Sequence, residues 1–581
     1  MTAPFVLFDD ARPGGAARLY RSPVEVIEAL TVAEVWPALD RVRAGKARGL
    51  HAAGFLSYEA AAAFEPALPC LPGTTGAPPL LWFGLFAGWA PVDAPAWLPD
   101  GAGAWVGAPV PLVDARDHQA RIAALLALIA AGDLYQANLS FPAEVALTGD
   151  PLAVYARLRG TAGAGYGAVV ATGAHTLLSF SPELFFSLYG DRLGCRPMKG
   201  TARRGDTPAA DRALAAALAT DAKQRAENLM IVDLMRNDLS RVAVAGSVAV
   251  PDLFAIETYP TVHQMTSRVS ATIAPGRDAI DVLAAAFPCG SITGAPKVRA
   301  MQAIADLERA PRGAYTGAIG RIDANGDAMF NVAIRTLAMA GGADRASLSL
   351  GSGIVADSEP RAEWEECLAK GAFVGDGTAM FDLIETMAFD PEEGMLLLDL
   401  HLARLRDSAA ALGFAFDRHT ARNELQAATF RLREVRRIRL LLAPSGAIAV
   451  EAGPMPLPFA APLRVAIVPL PVGANDLRLR HKTSDRDFYD AARRAAGTDE
   501  VVFEHDGVLT EGSFTSLFVE RDGLLVTPAA DAPLLPGVLR ADLIAGGRAV
   551  EGVVRRADLR GGFLLGNAVR GLMPALVVGD E

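Results

Sequence analysis

A chain of 581 residues exceeds what one hydrophobic core serves, so two or more domains are expected. Its 51% hydrophobic and 21% charged residues exclude a disordered polymer, and a formal net charge of −11 argues against nucleic acid or an anionic membrane as partner. Four well-separated cysteines, Cys70, Cys195, Cys289 and Cys367, form no C-x-x-C pair; they fit a reducing cytoplasm and provide neither a disulfide framework nor a zinc site.

In chain order, "MTAPFVLFDD" lacks the basic region of a signal peptide, which again points to the cytoplasm. The apolar segment at 80–98 is broken by prolines and Asp93, so it is not expected to span a membrane. Residues 1–115 read as short strands joined by Pro- and Gly-rich loops. A helix is predicted over 117–131, strands over 175–190 and 329–355, and a helical stretch over 208–236. A further helix over 359–373 runs into "VGDGTAM" (374–380), the best boundary in the chain. Beyond it a fresh strand, "FDLIETMAFD", and a fresh helix at 400–414 begin a second unit. Domains are therefore expected at 1–374 and 375–581.

In the first half, "SFSPELFF" carries Glu183, and "KQRAENLMIVDLMRNDLSR" (223–241) is a helix bearing Glu227. "EWEEC" sets Glu363 and Glu366 three apart, on one helical face. Singly, each acid reads as a surface charge; two helices offering carboxylates also form an oxygen-lined site for magnesium. "FPCGSITGAPKVRAM" (287–301) is a glycine-rich loop entering a helix, whose backbone N–H groups with Ser291 and Thr293 suit an anion. Arg335 has the geometry for a bidentate carboxylate pair, though it also reads as a strand-capping charge. "CRPMKGTARRG" (195–205) places Lys199 in a stretch otherwise built for a tight turn.

Together these stretches, from about 115 to 375, resemble the chorismate-utilising enzymes: anthranilate, aminodeoxychorismate, isochorismate and salicylate synthases. The resemblance implies an α/β (α+β) fold with two stacked antiparallel sheets and a Mg2+-dependent site between them. By it Glu227 and Glu366 hold the metal, with Glu363 in or beside the shell, while Gln224 stands where relatives often carry an acid. Tyr315, Arg335, Thr293, Gly294, Gly351 and Gly353 match positions that grip the substrate's carboxylates, and His263 matches a histidine near the ring. Members that add water carry a lysine where this chain has Gln136, which implies ammonia as the nucleophile. Lys199 matches the lysine of bacterial aminodeoxychorismate synthases, where anthranilate synthases typically have alanine. The implied mechanism has a neutral Lys199 attack ring carbon C2 while Glu183 protonates the departing 4-hydroxyl; ammonia then adds at C4 and expels the lysine.

In the second half, "HLARL" (401–405), "RHKTSDRDFYD" (480–490), "TEGSFTSLFV" (510–519), "LLPGVLR" (534–540) and "GNAVRGLMPA" (566–575) resemble, in that order, the fold-type IV pyridoxal-phosphate enzymes. This implies an α+β domain in which Lys482 carries pyridoxal 5'-phosphate as a Schiff base and shuttles protons. Glu511 pairs with the pyridine nitrogen, Arg404 with the backbone at Gly537 and Val538 binds the phosphate, and Thr515 and Asn567 line the pocket. The opening hairpin of free-standing members is missing or replaced, so its surface would come from the neighbouring domain or from a homodimer through the second domain.

The fusion points to consecutive steps: chorismate and ammonia to aminodeoxychorismate, then elimination of pyruvate to give 4-aminobenzoate. The alternatives are an anthranilate synthase fused to an aminotransferase, and a fusion with one half decayed into a binding module. The second would have lost key residues, all of which are present. No cysteine sits in a G-x-C-x-G setting, so a separate glutamine amidotransferase subunit is expected to deliver ammonia.

Overall fold

The computed structural model describes residues 3–578 except 72, 74, 75, 259–261, 376–380, 460 and 461. Most of the expected boundary segment, 376–380, lies outside the described residues. The chain divides into two compact units. The first comprises 1–98, 108–147 and 155–377; the second comprises 378–581 together with 99–107 and 148–154.

The first unit is built on two antiparallel sheets. One runs in the order 294–295, 136–148, 345–354, 336–340, 175–181, 166–171, 5–9, 17–21 and 90–92; the other runs 198–203, 262–272, 192–196, 184–189, 328–332, 318–322, 51–56, 81–86 and 25–29. Their inner faces meet in a dry cluster: Val6, Tyr20 and Val170 from the first sheet, Phe55, Trp82 and Ile319 from the second. The outer face of the second sheet is covered by Val32–Ala47, Ala222–Ser240 and Ala279–Ala286. Helices Ala115–Ala130 and Lys297–Glu308 pack on Leu139 and Ile354 of the first sheet. The resulting helix–sheet–sheet–helix layering is the expected α/β class.

Two local features place the site. The helical stretch expected over 208–236 is two helices, Pro208–Thr220 and Ala222–Ser240. Asp221 between them is extended, and its carboxylate accepts from Gln224 N–H at 2.8 Å, an N-cap that starts the second helix afresh. The stretch around Lys199 is not a turn but a strand, Met198–Arg203. Met198 faces Thr266 and Thr201 faces Gln264, so one extra residue is bulged at Lys199–Gly200. Gly200 takes φ +93°, and a Cβ there would lie 3.0 Å from Gln224 Oε1.

The second unit has a four-stranded antiparallel sheet, 394–395, 383–390, 436–442 and 448–454, flanked by Leu398–Ala411 and Arg418–Thr429. Its larger sheet runs 508–512, 500–505, 463–469, 571–577, 563–567, 516–521, 524–528 and 549–552, and is mixed. Leu463–Pro469 is parallel to both of its neighbours. Within this unit Arg478 bridges Asp476, Asp485 and Asp100, which ties 99–107 to the loop before Lys482. No helix among the described residues is long and apolar enough to cross a membrane.

Candidate active sites

In the first unit the bulge turns the Lys199 amine toward the strand Arg345–Ile354. A Cβ on Gly353 would fall 3.3 Å from Lys199 Nζ and 2.9 Å from Gln136 Nε2, so glycine is what lets both groups approach. Gln136 is buried, and its Oε1 has no hydrogen-bond partner. Gly294 closes the same corner by pairing with Ala137; a Cβ on it would sit 2.2 Å from Gln136 O. Burial lowers the Lys199 pKa and Lys370 adds to that, while Glu183, Glu227 and Glu366 pull it back up.

Glu183 is buried with Oε1 unpartnered, and burial pushes its pKa up to about 7, against Ser291 and Lys199. A carboxyl that is protonated near neutrality and coupled to an amine is a candidate proton donor. Tyr315 is buried, and its hydroxyl and Ser140 Oγ would lie 2.9 and 2.8 Å from a Cβ on Gly351. Lys370, which the sequence reading did not single out, donates to Gly351 O at 3.0 Å and to Glu366 Oε1 at 2.7 Å. The i,i+4 spacing of Glu366 and Lys370 on Pro360–Gly371 was the available signal.

The three candidate metal ligands present a mixed picture. Glu363 Oε1 accepts from Ser358 Oγ at 2.6 Å, and its Oε2 is buried without a partner. Burial raises the Glu227 pKa, opposed by Lys199 and Lys223 and reinforced by Glu366. Among the described residues no three His, Cys, Asp or Glu groups converge on one point, and Glu366 pairs with Lys370. An unpartnered buried oxygen and mutually repelling carboxylates fit a hard divalent cation in chemistry.

The remaining residues differ in how they are held. Arg335 is half-buried with φ +49°, and its carbonyl accepts from Phe180 N–H. The Thr293 hydroxyl is spent on the carbonyls of Cys289 and Gly290, each at 3.2 Å, so its side chain serves the loop. His263 is buried with both nitrogens engaged, Nε2 2.9 Å from Asp211 Oδ1 and Nδ1 3.0 Å from Thr258 Oγ1. No local pattern in the sequence places Asp211, 52 positions away, against it.

In the second unit one cavity of about 520 Å³ gathers every residue expected there: Lys482, Glu511, Arg404, Thr515, Gly537, Val538 and Asn567. Burial lowers the Lys482 pKa to about 7, helped by Arg404, Arg486 and Arg439 and opposed by Glu385. Glu511 is buried and raised to about 7 by that burial; its oxygens accept from Tyr489 Oη at 2.6 Å and Leu535 N–H at 3.0 Å. Arg404 is bidentate to Glu385 and donates to Pro536 O at 3.0 Å, just before the Gly537 cap of Val538–Ala545. A Cβ on Gly537 would lie 2.4 Å from Ser516 Oγ, so glycine leaves a cradle of hydroxyl and helix N-terminus. Thr515 Oγ1 donates to Glu500, which also accepts from Ser513 and Phe514 N–H and so shapes the 513–515 loop. Asn567 Nδ2 donates to Phe514 O, while its Oδ1 accepts from Val569 and Arg570. The cradle, the depressed amine and the buried acid fit a phosphorylated aldehyde cofactor.

Comparison with known proteins divides the chain similarly. Residues 98–375 match the chorismate binding enzyme family model and residues 382–578 match amino-transferase class IV. Aminodeoxychorismate synthase component 1 of Salmonella typhimurium is 46% identical over 239 residues, 41% of this chain and 52% of that protein. Anthranilate synthase component 1 of Haloferax volcanii is 45% identical over 237 residues, 40% of this chain and 45% of that protein. The chain thus spans about half the length of these curated relatives. Anthranilate synthase component I from Streptococcus pneumoniae superimposes with a TM-score of 0.54 at 25% identity, covering 64% of this chain and 92% of that one.

Proposed function

We propose, for a chain that joins a chorismate binding enzyme domain to an amino-transferase class IV domain, that the two halves make 4-aminobenzoate, a folate precursor, in consecutive steps. The first converts chorismate and ammonia to 4-amino-4-deoxychorismate and water; the second releases pyruvate from that product. The observation that carries the reading is the Lys199 amine, lodged by a bulge beside Gln136 and Gly353 and coupled to the buried acid Glu183.

In the first step Lys199 Nζ bonds to C2 of the ring as the 4-hydroxyl leaves with the Glu183 proton. Ammonia then bonds at C4 and the C2–N bond breaks, which restores the amine. Tyr315, Arg335 and the glycines at 351 and 353 orient the dicarboxylate. Magnesium held by Glu227 and Glu366, with Glu363 beside them, would supply positive charge toward the substrate carboxylate and favour neutral Lys199. A separate glutamine amidotransferase subunit supplies ammonia; the relatives' designation as a component 1 supports such a partner.

In the second step pyridoxal phosphate would supply an electron sink. Glu511 would pair with its ring nitrogen, Arg404 and the backbone at Gly537 and Val538 would hold its phosphate, and Thr515 and Asn567 would border it. Lys482 would hold the aldehyde end and move protons.

The near-equal match to an anthranilate synthase favours a second reading, an anthranilate synthase joined to an aminotransferase. Incubation of the purified chain with chorismate, an ammonium salt, magnesium and pyridoxal phosphate separates the two. The first reading expects 4-aminobenzoate and pyruvate in equal amounts by chromatography; anthranilate as the aromatic product would overturn it.

A further inference from the structure

One buried group in the second cavity has no part in the chemistry above. His401 is 1% exposed and lies one helical turn before Arg404 on Leu398–Ala411, and both side chains line the cavity. Its Nδ1 is 2.6 Å from Glu385 Oε2, a carboxylate that also accepts two Arg404 hydrogen bonds at 2.8 and 2.6 Å. Burial alone would raise the Glu385 pKa, but Arg404 and His401 outweigh it and hold the group anionic. An anionic acceptor places the imidazole proton on Nδ1 and leaves a lone pair on Nε2. That Nε2 is buried and has no hydrogen-bond partner, a condition that calls for a ligand.

The wall around it is built for an oxyanion. Helix Val538–Ala545 packs against Leu398–Ala411, and its first residues line the cavity with Gly537 and Ser516. A helix N-terminus with Arg404 beside it favours a phosphoryl group. A neutral imidazole, however, turns a lone pair toward that anion, so the contact is attractive only when a proton lies between them. The charged groups facing the ring are Glu385, Arg404 and Lys482. Burial lowers the ring's pKa first and Arg404 and Lys482 lower it further against Glu385, so without ligand the ring is neutral.

We propose that His401 Nε2 is a hydrogen-bond partner of a phosphomonoester bound at this helix end, and that a dianionic phosphoryl group draws one proton from solvent onto Nε2. Before binding there are a neutral ring and a dianion; afterwards Nε2–H donates to a phosphoryl oxygen while Nδ1–H stays on Glu385. Because binding takes up a proton, affinity falls as pH rises. This rests on the reading that pyridoxal phosphate occupies the cavity.

The test is calorimetric titration of the full chain, stripped of cofactor, with pyridoxal phosphate and with 5'-deoxypyridoxal, whose aldehyde cannot close into a hemiacetal, at pH 8 in two buffers of different ionisation enthalpy. Capture of the aldehyde is common to both compounds, so the phosphate contribution is their difference. The expected result is about one extra proton taken up with the phosphate ester. His401→Asn and His401→Gln should abolish that difference and weaken only the phosphate ester, by roughly tenfold. Equal proton uptake for the two compounds in the unaltered protein, or an equal affinity loss for both in the variants, would overturn the proposal. Failure of the unaltered protein to bind either compound would remove the cofactor reading and this inference with it.

Discussion

The two units each bury a lysine, and the two amines live in opposite electrostatic company. Lys482 is surrounded by Arg404, Arg439 and Arg486, which add to burial and bring its pKa to about 7. Lys199 is surrounded by Glu183, Glu227 and Glu366, which oppose burial and Lys370. The second amine is therefore prepared to act by the fixed charges of its own chain. The first is prepared only in part, because the acids that would hold a cation also hold the amine's proton. A surplus of arginine anticipates an anionic ligand; a surplus of carboxylate anticipates a cation.

The sharpest way to break this comparison is to remove each amine in turn. Lys199→Ala should cost the first step on the order of 10⁴-fold while supplied aminodeoxychorismate is still consumed, and Lys482→Ala should do the reverse. Equal loss of both activities in either variant would show that the sites are not independent. Glu183→Gln should slow the first step by roughly 10²–10⁴-fold. With this group's pKa raised to about 7, the protonated donor is present below that pH and is lost above it. The unaltered protein's first-step rate should then fall on the alkaline side of about 7, and the glutamine variant should lack that limb. The measurement is initial rate against pH with saturating ammonia.

Chelation of divalent cations separates the two environments without mutation. It should suppress the first step by roughly 10²-fold and leave pyruvate release from supplied intermediate unchanged. Because Glu227 and Glu366 then face Lys199 unscreened, the amine should hold its proton to higher pH, and with Glu183 losing its own near 7 the residual activity should span a narrower pH range. A second step lost in parallel would contradict the contrast. The smallest effect is expected from Gly200→Ala, which forces a Cβ into φ +93° against Gln224 at a cost of about 1–2 kcal/mol. Urea unfolding should register it, with a lowered kcat for the first step only.

What was legible in the sequence follows from range. The helices at 115–130, 360–371 and 398–411 announce themselves through local periodicity, helped by the Asp114 cap in the first and by Pro360 at the start of the second. The seven residues expected in the second unit all line one cavity, because they sit in short stretches whose order carries the family resemblance without knowledge of the packing. The contacts that escaped are long-range or depend on one backbone torsion. Asp211 engaging His263 and Glu385 joining His401 to Arg404 each depend on a partner that no local pattern names, whereas the Asp221 cap that splits 208–236 is a local signal that the expectation of one helical stretch missed. The glycine after Lys199 suggested a turn, since a turn and a bulge ask for the same positive φ. Only the register against 262–272 tells them apart.

That register has an evolutionary corollary. Side chains along a strand alternate between faces, and a single supernumerary residue inverts the alternation for everything past it. Deleting one position between Pro197 and Thr201 would realign the ladder and swing position 199 to the opposite side. Exchanging the amine for a small side chain would leave the same backbone standing. Descendants of such a chain can give up a buried amine at this place through one codon, yet they cannot move it to a neighbouring position without rebuilding the edge of the sheet.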